Sequence, residues 1–414
     1  MDSNNQRGGI RRVVVSGLGV VSPIGTTVAS FWESALQGRV GTGPLTQIDT
    51  SCFRYHNGGE ILDFHLDNYV HGVNETELAR CTQLAVAVTQ QCLEDAQLEK
   101  SALDSFRVGV CFGSVMGPRP HCERTLDQLL SKNRNRNPRP AMPAVDPCDI
   151  SRVPARQFHL EGPNLAIVTT CATGNTAIGC ALDLIRSGAA NAMVAGGTEQ
   201  LSLQVFSMFA KMSALSPNVV SPFASTREGL LLSEGAAALF LESYEHALAR
   251  RARIYCEVLS HGNCTDDYHL TAPDPQGAGA SRAMKSALSI GRIEASRVGF
   301  INAHGTGTLL NDVAEARALH QVFPKDAASI PVTALKSLLG HTSGAAGAIQ
   351  AVATVLSISQ GIIPPTGNCD EVDAECALNV IRTRPFHSQI DVALSNSFGF
   401  GGSNECLAFA AIGG

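Results

Sequence analysis

The sequence has few aromatic and few charged residues for its length. Aromatic side chains make up 5% of the 414 residues, with a single tryptophan, and charged residues make up only 16%. Hydrophobic residues reach 44%, so the chain can bury several faces in a large core. The formal net charge of −6 gives no reason to expect a nucleic-acid partner.

Long hydrophobic runs and paired cysteine spacings are also missing from the sequence. No stretch approaches the roughly twenty apolar residues of a membrane helix, and the opening MDSNNQRGGIRR lacks the apolar core of a signal peptide. The thirteen cysteines are odd in number and show no C-x-x-C spacing. This pattern disfavours both a disulfide framework and a zinc site. We therefore expect a soluble cytoplasmic protein with reduced thiols, no metal and no membrane association.

The stretch from Leu165 to Gly197 has the pattern of a crossover unit in a parallel sheet. Residues 165–170 are apolar and β-branched, as in a buried strand. Apolar residues then recur at helical spacing from Asn175 to Ser187, and a second apolar strand follows at Ala192–Ala195. Strand, tight turn, helix and strand in this order predict two parallel strands joined by a helix.

Cys171 lies at the turn between the first strand and the helix of this unit. The free N–H groups and the positive dipole end of the helix would stabilise a thiolate there, so we expect a lowered pKa and a nucleophile. The alternative is a cysteine that only fills a gap in the core, the commoner fate of a lone cysteine.

The second part of the chain echoes the first. Residues 331–358, for example, repeat the strand, turn and helix pattern of residues 165–185. The echo predicts two similar α/β halves packed back to back, residues 1–252 and 253–414, with their glycine turns meeting at one site.

Three further sequence features should meet Cys171 if the halves pack this way. They are His304, the KSLLGHTSG segment with Lys336 and His341, and the glycine-rich loop at 396–402. Each follows a predicted strand at its carboxyl end, where parallel sheets place their sites. A lone histidine is usually a core or surface group, but two at equivalent turns of a repeat favour a shared function.

One cysteine with two neutral histidines suits acyl transfer followed by decarboxylation. The thiolate would take the acyl group as a thioester, and paired imidazole N–H donors would stabilise the enolate formed when carbon dioxide leaves. A Cys–His protease is the rival interpretation. It needs one histidine and an Asn or Asp that orients it, which leaves the second imidazole and Lys336 unexplained.

The motifs together resemble an elongating β-ketoacyl-[acyl-carrier-protein] synthase, the Cys-His-His condensing enzyme of fatty acid and of type II aromatic or polyene polyketide synthesis. They occur in order over the whole chain: TTCATGNTAIG (169–179), VAGGTE (194–199), PFASTREGLLLSEGA (222–236), DDYHLTAP (266–273), NAHGTGT (302–308), KSLLGHTSGAAGA (336–348) and NSFGFGGSN (396–404). The resemblance implies a thiolase fold, a five-layered αβαβα sandwich. It also implies an acyl carrier protein as partner, and a homodimer or a heterodimer with a chain-length-factor-like subunit. Substrates would arrive on phosphopantetheine, with no other cofactor.

The resemblance also implies roles for individual residues. Cys171 would be the nucleophile, and its backbone N–H would form an oxyanion hole with that of Phe400, which would also gate the malonyl side. His304 and His341 would support decarboxylation, with Lys336 as an electrostatic anchor near His341.

Five more residues would contact the substrate by the same resemblance. Thr306, Thr308 and Thr271 would contact the phosphopantetheine arm. Met116 and Phe209 would line the acyl channel, where their size would influence chain length.

Several positions depart from the pattern of the family. Ala224 and Leu230 replace an acidic and an aromatic residue, and Gln350 replaces a glutamate that pairs with the lysine. We expect Lys336 to be less compensated unless another carboxylate, Glu315 or Asp312, takes over.

The segment before Arg80, basic in many fatty acid enzymes, reads VNETEL here. We therefore expect a specialised polyketide or polyene system with its own carrier protein.

Other members of the superfamily fit less well. A chain-length-factor-like scaffold lacks the nucleophile, a decarboxylase-only starter enzyme carries Gln at position 171, and an initiating synthase has Asn in place of the second histidine. A biosynthetic thiolase does not decarboxylate. The non-elongating partner subunit is the alternative that we keep.

The basic run at 132–139 predicts a solvated loop, or else a lid or partner surface.

Overall fold

The protein, described by a computed structural model over residues 6–7, 10–98, 107–122 and 146–413, is built around an eleven-stranded mixed sheet. The strands are β1 Val13–Val21, β2 Val108–Gly113, β3 Asn164–Ile167, β4 Ala192–Glu199, β5 Gly235–Ser243, β6 Cys256–Thr265, β7 Val298–Asn302, β8 Pro331–Thr333, β9 Asn379–Val380, β10 Val392–Gly399 and β11 Ser403–Ala410. Their order in the sheet is β9-β8-β7-β10-β11-β6-β1-β5-β4-β2-β3. Three two-stranded sheets are separate: Gln6–Arg7 with Ile10–Arg11, Thr42–Pro44 with Asn57–Gly59, and Ile362–Ile363 with Phe386–His387.

The sheet consists of two halves with the same pairing pattern. In the first half, β1, β5 and β4 pair antiparallel, and β4, β2 and β3 pair parallel. In the second half, β6, β11 and β10 pair antiparallel, and β10, β7, β8 and β9 pair parallel. The halves meet where β1 and β6 pair over two residues, Val15 with Cys256 and Val14 with Glu257. The prediction of two similar halves is confirmed.

Helices form the remaining layers. They are α1 Val28–Leu36, α2 Arg80–Asp95, α3 Asp149–Phe158, α4 Thr173–Arg186, α5 Leu203–Lys211, α6 Tyr244–Ala249, α7 Ala278–Gly291, α8 Leu309–Val322, α9 Lys336–Leu339 and α10 Ala346–Gln360. Helices α4 and α10 contact strands of both halves, α2 and α3 pack on the outer face of the first half, and α7 packs on the second with α8 against it. The expected five-layered αβαβα sandwich is therefore confirmed.

The two central helices pack very closely near the amino end of α4. An added Cβ at Gly174 would lie 2.6 Å from the backbone nitrogen of Ala348, so only glycine fits there. Helix α10 is buried all round from Ala346 to Ile358, as a helix between two sheets must be. This contact brings equivalent turns of the two halves to one place.

Two predictions about the chain as a whole stay predictions. The half-sheets divide between Ser243 and Cys256, but the exact domain boundary at residues 252 and 253 is not tested by the pairing. The basic run at 132–139 lies outside the described residues.

Within the described ranges, no helix combines the length and apolar character that crossing a bilayer requires.

Candidate active site

The turn that carries Cys171 is held by hydrogen bonds among neighbouring threonines. Thr170 has a left-handed backbone with φ of +50°, and helix α4 begins two residues after the cysteine. The Thr173 hydroxyl donates to the carbonyl of Thr170 at 2.5 Å, and it accepts from the N–H of Thr169 at 2.8 Å. These bonds hold the backbone on both sides of the cysteine.

The Cys171 thiol is more basic than the sequence led us to expect. Burial raises its pKa to about 11, while the charge of Lys336 and the backbone N–H of Phe400, which donates to the sulfur, act in the opposite direction. The expectation of a lowered pKa was wrong, because burial outweighs the opposing effects of Lys336 and of the Phe400 N–H. At neutral pH, Cys171 is therefore protonated.

His304 and His341 lie together beside the cysteine. Both are 2% exposed, and their ring centroids are 5.5 Å apart with an interplanar angle of 83°. Burial lowers the pKa of each ring well below its usual 6.5, and the positive charge of Lys336 lowers both further. Both imidazoles are thus neutral at physiological pH, as the proposed chemistry requires.

The neighbours of the two rings also fix which nitrogen carries the proton. The N–H of Ser343 donates to Nδ1 of His341 at 3.1 Å, and Nζ of Lys336 lies 3.3 Å from Nδ1 of His304. An amide N–H and an ammonium group can only donate, so both Nδ1 atoms accept. Each histidine therefore keeps its proton on Nε2.

Lys336 contacts His304 directly, and its charge also acts on His341, near which the sequence analysis placed it. Its Nζ donates to the backbone carbonyl of His304 at 2.6 Å and to Oε1 of Gln350 at 2.8 Å. The first turn of α9 directs the side chain toward the neighbouring strand end, which motif order alone does not reveal. Burial lowers the pKa of Lys336 to about 8.

The amide of Gln350 is fixed in one orientation. Its Nε2 donates to the carbonyls of Ala303 at 2.8 Å and Asn396 at 3.2 Å, so Oε1 must face Lys336. Glu315 is the carboxylate that most favours the charged form of Lys336.

Glu315 is held behind the site by backbone donors. It accepts from the N–H groups of His304 and Gly305, each at 2.8 Å, and burial raises its pKa to about 7. The expected compensation is therefore present, with Asp312 contributing less.

A cavity of about 370 Å³ opens onto the cysteine and the histidines. Eight of the ten predicted site residues line it: Cys171, His304, His341, Phe400, Phe209, Thr271, Thr306 and Thr308. Lys336 lies behind His304. Met116 is not part of this wall; its backbone N–H donates to Glu199 at 3.2 Å.

Two aromatic rings stack at one side of the cavity. The rings of Phe400 and Phe209 are 5.4 Å apart with an interplanar angle of 22°. The hydroxyl of Thr170 donates to the carbonyl of Phe400 at 2.9 Å. The position expected for a gate is thus occupied by a stacked ring pair.

Sequence reasoning missed the residues around the mouth of the cavity. Leu309 and Leu310 are more than 60% exposed there, and Asn404 donates to Asp266 at 2.8 Å. Two adjacent leucines at the start of a helix, directly after a threonine motif, were a signal that could have identified this rim.

The departures at Ala224 and Leu230 also have structural counterparts. Ala224 is buried and carries no charge, and the nearby Arg227 pairs with Asp373 from a distant loop. Leu230 lines the cavity.

Among the described residues, no group of three or more His, Cys, Asp or Glu side chains could hold a metal ion.

Most of the chain matches the models of one family. Residues 10–247 match the model of the β-ketoacyl synthase N-terminal domain, and residues 255–370 match that of the C-terminal domain. The chain belongs to the β-ketoacyl synthase family. It is a condensing enzyme and an acyltransferase, as the sequence predicted.

Relatives and solved structures agree with this assignment. The 3-oxoacyl-[acyl-carrier-protein] synthase 2 of Synechocystis sp. is 39% identical over 406 residues, 96% of this chain and 98% of the relative. A chain of the ishigamide ketosynthase/chain length factor superposes with a TM-score of 0.93 at 36% identity, covering 98% of this chain and 100% of that one. A second structure, of a type II PKS acyl-carrier protein in complex with its ketosynthase bound to the hexaketide, gives 0.88 at 30% identity, covering 97% and 100%.

Proposed function

We propose that this β-ketoacyl synthase loads an acyl group onto Cys171 and extends it by two carbons from a malonyl unit held on an acyl carrier protein. The observation that carries the proposal is the pair of neutral imidazoles beside the thiol, His304 and His341, with both Nδ1 atoms occupied. Their Nε2–H groups remain for an oxygen that becomes negatively charged in the cavity.

The first half-reaction is a thioester exchange. The Cys171 sulfur attacks the carbonyl carbon of the acyl thioester, a new C–S bond forms, and the phosphopantetheine thiol leaves with the proton that the cysteine loses. The N–H groups of Cys171 and Phe400 would stabilise the oxyanion. Because the resting thiol is protonated, proton removal belongs to this step.

The second half-reaction joins two carbons. The bond between the malonyl α-carbon and its carboxylate breaks, carbon dioxide leaves, and the two Nε2–H groups hold the enolate oxygen of the thioester. The α-carbon then attacks the acyl-cysteine, so that a C–C bond forms and the Cys171 thiolate departs. In this scheme Lys336 keeps His304 in the Nε2–H tautomer.

The remaining predicted residues have binding roles in this proposal. Thr271, Thr306 and Thr308, on the cavity wall, would contact the phosphopantetheine arm, and Phe209 would line the acyl channel with Phe400 as its gate. Met116 would act at most indirectly, through its loop. The scheme requires no metal or other cofactor, so a chelator should leave the condensation rate unchanged.

The experiment that tests the loading step is intact-protein mass spectrometry after mixing with acyl-carrier proteins of several chain lengths. A mass gain equal to the acyl group, absent in Cys171→Ala, supports the nucleophile. A gain that persists in the variant contradicts it. The length that loads best identifies the preferred substrate.

We propose that the pathway is a specialised polyketide or polyene pathway with its own carrier protein. The similarity to a chain of the ishigamide ketosynthase/chain length factor and the acidic Glu75–Glu77 segment support this assignment, whereas the similarity to 3-oxoacyl-[acyl-carrier-protein] synthase 2 favours fatty acid synthesis. Equal condensation rates with a housekeeping and a dedicated carrier protein would refute the specialised role.

We also propose that the protein acts in the cytoplasm, and cell fractionation tests this location.

We also propose a second subunit at the β3 edge of the sheet. Strand β3 is last in the sheet order of the described chain, and Val168 just beyond it is 63% exposed. An unpaired edge with an apolar side chain favours pairing with another strand. Light scattering of the purified chain, alone and with a chain-length-factor-like partner, separates a homodimer from a heterodimer, and a monomer in both samples would contradict the proposal.

The alternative, a non-elongating partner subunit, predicts a different result. Such a subunit would bind its partner tightly but would neither load acyl groups nor decarboxylate malonyl-carrier protein. The complete set of cavity residues favours the enzyme.

A further inference from the structure

Thr170, the residue before the nucleophile, has a backbone conformation that its residue type disfavours. Its φ of +50° is an outlier for a β-branched residue. The carbonyl of Thr170 accepts from both the hydroxyl and the N–H of Thr173, at 2.5 and 3.2 Å, which maintains the conformation. Strained backbone is often found at functional sites. The strain at Thr170, next to the reactive Cys171, therefore suggests that the Thr170 side chain has a function.

The strained backbone directs the hydroxyl of Thr170 across the site to the loop of residues 399–402, which we call the Phe400 loop. Its Oγ1 lies 2.9 Å from the carbonyl oxygen of Phe400 and 2.8 Å from that of Thr169. The hydroxyl has one proton, so it serves one carbonyl at a time. An added Cβ at Gly399 would lie 2.1 Å from Oγ1, so the approach depends on glycine.

The Phe400 loop has the features of a segment that can change conformation. Gly401 and Gly402 have φ of +77° and +78°, and an added Cβ at Gly401 would meet nothing within 4 Å. The ring of Phe400 stacks on Phe209 and packs against an apolar cluster that includes Tyr55, Leu201, Phe206, Leu215, Leu230 and Leu232. An acyl chain that reaches this cluster from the cysteine must displace the ring.

We propose that Thr170 is a positioning residue that holds the Phe400 loop closed through its hydroxyl. This inference rests on the proposed function, in which Phe400 gates the cavity. When the loop leaves, the carbonyl of Phe400 loses this donor, and the closed loop is stabilised by the bond that it then gives up. The far end of the loop keeps its own bonds, from Gly401 N–H to Leu270 and from Asp266 N–H to Gly402.

Removing the hydroxyl should therefore favour the open loop. Loss of one hydrogen bond of ordinary net strength shifts a two-state equilibrium about fivefold. Thr170→Val keeps the β-branched shape and removes the donor, whereas Thr170→Ser keeps the donor.

The test compares two alkylating reagents on the full-length protein. Iodoacetamide and N-octyl iodoacetamide react with the same thiol, but only the octyl chain needs the space behind Phe400. Peptide mass spectrometry gives the rate at Cys171 itself, and the ratio of octyl to small reagent cancels any change in the thiol pKa. We expect Thr170→Val to raise this ratio about fivefold, and Thr170→Ser to stay within about twofold of the wild type.

An unchanged ratio in a folded Thr170→Val protein, or an equal rise in Thr170→Ser, overturns the inference. If the valine variant unfolds, Thr170→Ala lacks the same donor and carries the same expectation. Alkylation needs neither carrier protein nor malonyl substrate. A raised ratio in an enzyme that fails to condense would therefore refute the proposed function alone, and an unchanged ratio in an active enzyme would refute only the role of Thr170.

Discussion

Replacing Gln350 by glutamate tests whether Lys336 must carry its proton for decarboxylation. In the wild type an uncharged oxygen faces Nζ at 2.8 Å, and burial lowers the pKa of Lys336 to about 8. Above that pH the amine loses the proton that it directs toward Nδ1 of His304. The tautomer of His304 is then no longer fixed, so the decarboxylation rate should fall as the pH rises through about 8.

The structure sets the size of the effect. A carboxylate 2.8 Å from Nζ attracts the ammonium by about 6 kcal/mol at an effective dielectric constant of about 20. At about 1.36 kcal/mol per pKa unit this would be about four units. It is an upper value, because the new carboxylate is itself buried. We expect the alkaline fall in rate to move up by at least about one pH unit.

The substitution also has a cost in stability. The carbonyls of Ala303 and Asn396 lose the donor that Nε2 of Gln350 supplies. Each buried acceptor left unpaired costs about 1–3 kcal/mol. The Gln350→Glu protein should therefore melt at a lower temperature although its lysine is better compensated.

The assay is the initial rate of carbon dioxide release from malonyl-carrier protein between pH 6.5 and 10. Gln350→Glu should hold its rate to a higher pH than the wild type. Lys336→Met, the control, should be slow and show no fall near pH 8. An alkaline fall that does not move in Gln350→Glu, or that persists in Lys336→Met, would refute the reasoning.

Three further predictions follow from the same geometry. The alkylation rate of Cys171 by iodoacetamide should still be rising at pH 10, because its thiol has a pKa of about 11; a rate that is constant between pH 8 and 10 would contradict this. His341→Ala should reduce malonyl decarboxylation about 10²–10³-fold while acyl loading persists, as mass spectrometry can show. Arg227→Met and Asp373→Asn should each lower the melting temperature, and the double variant should lose less than their sum; strict additivity would mean that the pair is not coupled.

The backbone of the site could be predicted from the sequence because it depends on local patterns. Around Cys171, a continuous apolar stretch is followed by apolar residues at helical spacing, and this change predicts a strand, a turn and a helix. The repeat of the pattern predicted that the turns with His304 and His341 would lie close to Cys171. All three residues line one cavity. Glycines such as Gly174 allow the close packing that makes this possible.

Side-chain direction and burial could not be predicted in the same way. Lys336 was expected near His341, and its charge acts on that ring, but the sequence did not reveal that its direct contact is with His304. Met116 follows its strand as expected, yet its side chain is not on the cavity wall. The pKa of Cys171 depends on burial and on groups from distant segments, Lys336, Phe400 and Glu199, which a local sequence pattern does not reveal.

The most direct test of the account measures malonyl decarboxylation in the Cys171→Ala protein, with and without His304→Ala. The account predicts that the single variant releases carbon dioxide but forms no condensation product, because the imidazoles rather than the thiol hold the enolate. Adding His304→Ala should reduce carbon dioxide release at least about a hundredfold. Equal release from the single and double variants would contradict the central claim that the histidines perform the decarboxylation.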